Sequence, residues 1–287
     1  MVYALSVSLP RLWPSDKMIT NPFEFLLSIV AFAAVGIISL KANIIDKTGF
    51  VAAMFVGCSI LIFGGWKWFI VLISFHFIAG LFTKYQYERK IEIGLAEKKG
   101  GARAWQNVLS NGVIASVLAI CYGLTSLKIF AAGYLGAVST SIADTLATEL
   151  GVLNRDEPIL ITNPRVKVKA GVSGGVSLLG EVAALFGGSL IALVAFIVGF
   201  EGLSISQIFV FNILVGILGC NFDSLVGAVI QTAFKCQICG QVTEKKIHCE
   251  RPTEYCRGIK FIDNNMVNVA STIFGALVAI LSYSYIK

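Results

Sequence analysis

Two aspartates lie inside apolar stretches of the sequence, where an ionisable side chain is energetically expensive. Asp144 belongs to ADTLATELG, which ends the apolar run 128–151, and Asp223 lies within LGCNFDSLVGAVIQ. Each aspartate is followed by a hydroxyl residue and a leucine. Mg²⁺ prefers oxygen ligands and is often held by one or two carboxylates together with substrate phosphates. The pair therefore predicts a magnesium site between two membrane helices, with an interhelical hydrogen-bond pair as the plainer alternative.

A basic, glycine-rich segment, RVKVKAGVSGGVSLLGE, lies between the two aspartates at residues 165–181. Glycines let backbone N–H groups approach an anion, and the N-terminus of a following helix adds a favourable dipole. The segment predicts a phosphate site, although it lacks the Gly-Lys-Ser/Thr of a Walker A motif. A plain chain turn with topology-setting charges is the alternative. The residues assigned to the phosphate site are Lys167, Lys169, Gly171, Ser173, Gly174 and Ser177.

Further polar residues recur near the ends of other apolar segments. Asn107 and Asn111 are one helical turn apart, as are Asn264 and Asn268. Polar helix caps are the alternative reading. Glu149, near Asp144, is predicted as a second metal ligand, a partner of a loop lysine or an interfacial residue. The residues assigned to cofactor binding in these segments are Asn107, Asn111, Ser224, Gln231, Asn264, Asn265 and Asn268.

Four cysteines lie close together in CQICGQVTEKKIHCERPTEYC, with the spacing C-x2-C-x9-C-x6-C. Such spacing is typical of small structural zinc sites. A reduced, metal-free loop is the alternative. The loop 234–265 also carries six basic residues, and we expect it to fold over the site and bring cations to a nucleotide. The predicted zinc ligands are Cys236, Cys239, Cys249 (or His248) and Cys256.

The small number of histidines narrows the chemistry. His76 and His248 are the two in the sequence, so a Ser-His-Asp triad or a histidine-rich metal centre has no support. Carboxylates, amides, lysines and a glycine-serine loop remain. That set suits phosphoryl or nucleotidyl transfer, in which positioning and charge neutralisation dominate.

The elements that position these residues are predicted to be membrane helices. The chain has 287 residues, 56% hydrophobic and 14% charged, whereas soluble domains carry about 25% charged residues. We expect an all-α polytopic membrane protein with about seven to eight transmembrane helices and no cleaved signal peptide. Gly64-Gly65 is predicted to separate two helices in a tight hairpin. The candidate spans are 23–40, 49–65, 66–83, 106–123, 128–150, 178–199, 206–233 and 266–285.

The basic residues predict the orientation of the chain. Eighteen of the 23 lysines and arginines lie on one side, in the loops 41–48, 84–105, 151–177 and 234–265. The positive-inside rule makes these loops cytoplasmic and places both termini outside. The net charge of +6 is then mainly a topology signal, so we expect no nucleic-acid partner.

Two regions are predicted within this multi-pass protein of the cell membrane. Residues 1–83 are assigned to N-terminal transmembrane helices and residues 84–285 to a catalytic transmembrane domain. The second region includes the cytoplasmic loops 84–105 and 151–177 and the cysteine loop 234–265.

The order of the motifs resembles the phytyl-phosphate kinase family, which is also the transmembrane protein nineteen family. The motifs are KKGGARAWQNVLSNG, ADTLATELG, the loop from Lys167 to Gly180, GCNFDSLVGAVIQ, the CxxC…HC loop and DNNMVN. The resemblance runs from about residue 98 to residue 272. More distantly, the arrangement is similar to dolichol kinases and phosphatidate cytidylyltransferases.

The resemblance implies transfer of the γ-phosphoryl group of CTP, or another nucleoside triphosphate, to a membrane isoprenoid phosphate. The acceptor would be phytyl, geranylgeranyl or polyprenyl monophosphate, and the product its diphosphate. Asp144 and Asp223 would hold Mg²⁺, and Lys167, Lys169 and the Ser173/Ser177 loop would hold phosphate oxygens. The implied partners are the lipid and the nucleotide, with a homodimer also considered.

Two other functions remain open at the level of sequence. Intramembrane aspartates and glycine-interrupted helices also suit a transporter, whose site would lie near the midplane and open to both sides. The polar clusters instead lean toward the predicted cytoplasmic helix ends. A cytidylyltransferase that makes a CDP-lipid would release pyrophosphate, whereas a kinase that uses CTP would release CDP.

Overall fold

The computed structural model describes residues 22–97 and 99–286, with side chains from residue 30 onward. Within these residues, seven helices are long and apolar enough to cross a membrane. Helix α1, Pro22–Lys41, precedes them, and a short helix α4, Tyr87–Glu92, follows the second. The predicted all-α polytopic fold is confirmed. The seven long helices are Lys47–Gly64 (α2), Trp66–Lys84 (α3), Trp105–Thr125 (α5), Lys128–Gly151 (α6), Leu178–Ile197 (α7), Ile205–Val229 (α8) and Asn264–Ser282 (α9).

The hairpin between α2 and α3 follows the predicted glycine break. Gly65 adopts φ +82°, a left-handed conformation that favours glycine. At the other end of α2, the Asp46 carboxylate accepts hydrogen bonds from the backbone N–H groups of Thr48 and Gly49, at 2.9 and 2.8 Å. This N-cap satisfies N–H groups that have no partner within the helix.

Helix α6 is the centre of the bundle, with 83% of its most apolar 18-residue stretch buried. Helices α5, α7, α8 and α9 pack around it. Small residues let the backbones approach closely: a Cβ atom on Gly136 would lie 2.5 Å from the carbonyl oxygen of Gly275 in α9. The close packing brings the polar ends of α6, α8 and α9 together.

Three connections gather at one end of the bundle, which we call the loop face: residues 85–97 with 99–104, 152–177 and 230–263. The second holds an antiparallel sheet in the order β2–β1–β3. The third holds another, in the order β5–β4–β8, and a β6–β7 hairpin. The strands are Ile159–Leu160 (β1), Asn163–Lys167 (β2), Gly175–Val176 (β3), Ala233–Lys235 (β4), Val242–Thr243 (β5), Ile247–His248 (β6), Arg251–Pro252 (β7) and Glu254–Arg257 (β8).

The predicted span 206–233 extends too far. Helix α8 ends at Val229, and Ala233 already pairs with Arg257 in the second sheet. The apolar residues after Val229 belong to the base of the cysteine loop, where tertiary packing rather than a membrane explains their hydrophobicity.

Aromatic side chains close the opposite end of the bundle. Trp68, Tyr122, Tyr134 and Phe200 are all buried and lie against one another, with the Trp68 and Tyr134 ring centroids 4.4 Å apart. The Tyr134 hydroxyl donates to the Trp68 carbonyl at 2.6 Å. The Trp68 indole N–H donates to the Glu201 carboxylate at 3.1 Å. Their polar atoms are thus paired while their rings fill the interior.

Candidate functional site

A polar cavity of about 340 Å³ opens on the loop face, and both predicted aspartates line it. Helix α6 contributes Asp144 and α8 contributes Asp223. Counted along each helix at 1.5 Å per residue, both lie about 10 Å from the loop-face end. The hydrocarbon core of a bilayer is about 30 Å thick. The two carboxylates therefore lie at similar distances from the loop-face ends of their helices, and these distances are less than half the thickness of such a core.

Asp223 is held in place by helix α9. Its Oδ2 atom accepts a hydrogen bond from the Ser271 hydroxyl at 2.9 Å. With its amide nitrogen turned toward Asp223, Asn268 donates to the same oxygen at 3.3 Å. Asn268, predicted from its spacing to belong to the site, thus contacts one of its two aspartates.

Asp144, in contrast, is not held by a hydrogen bond to the described part of the chain. Among the described residues its carboxylate has no hydrogen-bond or ion-pair partner, although it lines the cavity. The Arg103 guanidinium is close enough to interact with it electrostatically. A carboxylate without a protein partner, in the same cavity as a fixed one, offers the oxygen ligands that Mg²⁺ prefers. The residues present therefore fit a magnesium ion.

Glu149 forms a buried ion pair with Lys90 of helix α4, and the two charged atoms are 2.6 Å apart. Lys90 is fully buried, and its ammonium also donates to the carbonyl oxygens of Phe82 and Thr83. Of the three roles considered for Glu149, the structure shows the pairing with a loop lysine. Lys90 itself was missed, because the polar stretch YERKIE is typical of a solvated helix face.

The glycine-rich loop forms another wall of the cavity. Gly171 and Gly174 have φ values of +80° and +84°, and a Cβ atom on either would overlap Leu95 or Ala228. These two positions therefore require glycine. Ser177 caps α7, since its hydroxyl oxygen accepts from the Gly180 N–H at 3.1 Å. Ser177, Gly180 and Glu181 line the cavity, so the start of α7 faces it.

The two lysines of this segment lie elsewhere. Lys167 ends strand β2 and Lys169 follows it, and both are exposed outside the cavity lining. Their contact with phosphate stays a prediction.

The cysteine loop folds over the cavity, as expected from the sequence. Thr243, Glu244 and Lys245 line it. The Ser173 hydroxyl donates to the Glu244 carboxylate at 2.6 Å, and the Lys245 ammonium donates to the Gly94 carbonyl at 2.7 Å. Desolvation by the surrounding protein raises the pKa of Glu244, although the side chain keeps contact with solvent through the cavity. One lysine of this loop thus reaches the site.

Among the remaining predicted residues, one lies outside the cavity and the others line it, together with a residue that was not predicted. Asn265 lies outside the lining, where its amide donates to Asp263 at 3.2 Å. Glu181, which sequence reasoning missed, lines the cavity and accepts a hydrogen bond from Asn221 at 3.0 Å. The predicted residues that do line the cavity are Asn107, Asn111, Gly171, Ser173, Gly174, Ser177, Ser224, Gln231, Asn264 and Asn268, besides Asp144, Glu149 and Asp223.

A second cluster lies within the cysteine loop. Four side chains bring their possible ligand atoms within 4.8 Å of one another: Cys236, Cys239, His248 and Cys249. Backbone hydrogen bonding from Cys239 lowers the pKa of the Cys236 thiol to about 6, which favours the thiolate that binds metal. Three cysteines and a histidine fit a tetrahedral structural zinc site. Cys256, predicted as a ligand, lies on β8 outside this cluster, and His248 takes the fourth position.

The fold and the two clusters define a polytopic membrane protein with a carboxylate-lined cavity on one membrane face. Residues 30–276 match the model of the family described as Integral membrane protein DUF92. The chain belongs to this family.

Curated relatives support the same conclusion along nearly the whole chain. Protein PGR of Arabidopsis thaliana is 29% identical over 94% of this chain and 100% of its own length. An uncharacterized membrane protein of Methanocaldococcus jannaschii is 27% identical over 91% of this chain and 94% of its own length. Protein VTE6, chloroplastic, of Arabidopsis thaliana is 25% identical over 84% of this chain and 66% of its own length. No solved structure matches the chain.

Proposed function

We propose that the protein transfers the γ-phosphoryl group of CTP, or another nucleoside triphosphate, to a membrane isoprenoid monophosphate in a Mg²⁺-dependent reaction. The observation that carries the proposal is the pair Asp144 and Asp223, which line one polar cavity on one membrane face. The resemblance of the motif order to phytyl-phosphate kinases supports the isoprenoid acceptor. A site within the bilayer suits a lipid substrate.

The acceptor phosphate is already ionised at neutral pH, so the reaction needs no strong general base. An acceptor oxygen attacks the γ-phosphorus, the bond to the bridging β–γ oxygen breaks, and the nucleoside diphosphate leaves with the electron pair. The protein contributes positioning and charge. The Val172 and Gly175 N–H groups donate to carbonyls within the loop, so the N–H groups of Gly171, Ser173 and Gly174 and the start of α7 would contact phosphate oxygens. Arg103 and Lys245 would supply positive charge.

Asp144 and Asp223 would hold Mg²⁺, which supplies charge neutralisation for the triphosphate when bound. Asn264 and Asn268 would orient the nucleotide from the start of α9. Lys167 and Lys169 would contact the nucleotide from the exposed hairpin. The excess of basic residues on the loop face supports a cytoplasmic site, where nucleoside triphosphates are available.

We also propose that the cluster of Cys236, Cys239, His248 and Cys249 binds zinc. The metal would fix the small sheets of the loop and so hold Glu244 and Lys245 over the cavity. Its role is structural, because four protein ligands leave no open coordination position.

The direct test is product analysis with purified protein. We expect γ-labelled CTP or ATP to give labelled prenyl diphosphate from geranylgeranyl or phytyl monophosphate, with release of the nucleoside diphosphate and loss of transfer in EDTA. Incorporation of α-label into the lipid with release of pyrophosphate would identify a cytidylyltransferase instead. Absence of both products with all prenyl phosphates tested would contradict the proposal.

A further inference from the structure

A second cavity, of about 80 Å³, lies between helices α1, α2, α3 and α5. The phosphoryl-transfer site described above does not use it. Its walls are mostly hydrocarbon, and its polar side chains lie toward one end. The apolar lining includes Phe32, Val35, Phe50, Val56, Phe69 and Ile73.

The apolar cavity and the polar cavity share one wall. Arg103, Asn107 and Asn111 line both. One layer of side chains therefore separates a hydrocarbon-lined space from the space that holds Asp144 and Asp223. An amphiphilic molecule that passed these three side chains would have its apolar part in the apolar cavity and its charged part in the polar cavity.

The shared wall offers polar groups to a ligand. The Oδ1 atom of Asn107 is buried and has no hydrogen-bond partner among the described residues. Buried polar atoms without partners are uncommon in folded proteins. This one is a carbonyl oxygen and can only accept, so a bound water would pair with it, whereas an ionised phosphate would pair with the N–H donors of Arg103. Beside Asn107, Arg103 brings a positive charge, with one donor committed to the Thr83 hydroxyl at 3.2 Å.

The backbone holds this wall in a fixed position. The Arg103 N–H donates to the Ile44 carbonyl at 3.0 Å, and the Asp46 N–H donates to the Arg103 carbonyl at 3.1 Å. The segment before α5 is thereby fastened to the connection between α1 and α2. A cation is thus held at the polar end of an apolar cavity, an arrangement that suits an anionic head group on a single hydrocarbon chain.

We propose that the apolar cavity binds the phosphate-proximal part of the acceptor's isoprenoid chain and that Arg103 positions the acceptor phosphate toward Asp144. The inference rests on the proposed function for the identity of the acceptor. About 80 Å³ has room for several water-sized groups, so the cavity accommodates the first part of a chain. The rest of a long chain continues into the bilayer.

The test compares two alanine-to-phenylalanine variants. Ala53 lines the cavity, whereas Ala34 is exposed on α1 and does not. We expect A53F to raise the KM for geranylgeranyl monophosphate by about tenfold, because the added ring occupies the space of the chain. The KM for the nucleotide stays unchanged, and A34F behaves like the wild type. Val108→Phe, in the same lining, serves as a second variant if A53F does not fold.

A second readout does not depend on turnover. A geranylgeranyl monophosphate that carries a diazirine next to the phosphate is photolysed with the full-length protein in lipid nanodiscs, and labelled peptides are identified by mass spectrometry. We expect label on the α2 and α3 residues that line the cavity, lost in A53F and kept in A34F. Label that A53F leaves unchanged, or that lies elsewhere, overturns the inference.

The two proposals fail in different ways. Specific label in the cavity without phosphoryl transfer supports the chain-binding site and contradicts the kinase activity. Transfer by the wild type with an unaltered KM and unaltered label in A53F supports the kinase activity and contradicts the chain-binding site.

Discussion

At the scale of residues, the protein treats its two intramembrane aspartates differently. Asp223 is fixed by Ser271 and Asn268, whereas the Asp144 carboxylate has no hydrogen-bond or ion-pair partner in the part of the chain that the structure describes. A fixed ligand and an uncommitted one fit a site that binds a metal together with a substrate, since both carboxylates would be paired if their role were to join helices.

The buried ion pair between Lys90 and Glu149 gives a prediction about stability. Removing one partner leaves an uncompensated buried charge, so we expect Lys90→Met to lower the free energy of unfolding by about 3–5 kcal/mol. Thermal unfolding in detergent measures the effect. The double variant Lys90→Met/Glu149→Gln should recover much of the loss.

Lys99 provides the matched control, because its pair with Asp46 is mostly exposed on the lysine side. An exposed pair contributes about 0–1 kcal/mol, so Lys99→Met should unfold almost like the wild type. Equal melting temperatures for Lys90→Met and Lys99→Met would show that the buried pair has no special role.

Sequence reasoning found some site residues more readily than others, for physical reasons. Asp144 and Asp223 were predictable because a carboxylate in an apolar run is costly and therefore informative. Lys90 and Glu244 were not, because charged residues in polar stretches are usual and their proximity to the site arises from tertiary packing. The sequence offers His248 as the alternative to Cys249, whereas the structure places both in the cluster and leaves out Cys256.

At the scale of elements, the glycine-rich loop depends on backbone conformations that other residues rarely adopt. Gly174 and the exposed Gly100, which precedes α5 outside the cavity lining, both have positive φ, at +84° and +68°. A Cβ atom on Gly174 would overlap Ala228, whereas one on Gly100 would have no atom within 4 Å. We expect Gly174→Ala to lower the melting temperature and raise the KM for the nucleotide.

Gly100→Ala isolates the conformational part of this effect. It should cost about 1–2 kcal/mol for the left-handed backbone and leave the KM for the nucleotide unchanged. If the two variants showed the same KM, close packing of the loop against α8 would not be needed for nucleotide binding.

The cysteine loop gives a prediction about metal content. Elemental analysis of purified protein should find one zinc per chain, and Cys239→Ser or His248→Ala should lose it. Cys256→Ser is the matched control and should keep the metal, because Cys256 lies outside the cluster. Zinc lost from Cys256→Ser but retained by His248→Ala would restore the four-cysteine set expected from spacing.

The helices were largely predictable from the length of the apolar runs, and the break between α2 and α3 from Gly64-Gly65. The small sheets were not, because strands such as Ile247–His248 are only two residues long and depend on the hairpins around them. Hydropathy also misplaced the end of α8, since the residues after Val229 are apolar but pack within the loop.

At the scale of the whole molecule, the site is one-sided. The cavity opens on the loop face, while buried side chains such as Leu135, Val138 and Phe211 pack the bundle interior. The aromatic cluster around Trp68 closes the opposite end. A transporter needs access from both sides, so this arrangement favours a membrane-surface enzyme.

The orientation predicted from the basic residues is testable with fusions in a bacterial host. Helix α9 runs away from the loop face, so alkaline phosphatase fused to the C-terminus should be active and green fluorescent protein fused there should be dark. A fluorescent protein inserted after Glu157, in an exposed loop-face turn, should be bright. The reverse pattern would place the loop face outside.

The most direct test of the central claim is phosphoryl transfer to geranylgeranyl monophosphate by Asp144→Asn and Asp223→Asn. Each substitution removes a negative charge from the cavity while keeping its shape, and Asp156→Asn, in an exposed loop, is the matched control. The account predicts Mg²⁺-dependent transfer by the wild type and Asp156→Asn, and a loss of about a hundredfold or more in each cavity variant. Full activity in both cavity variants would contradict it.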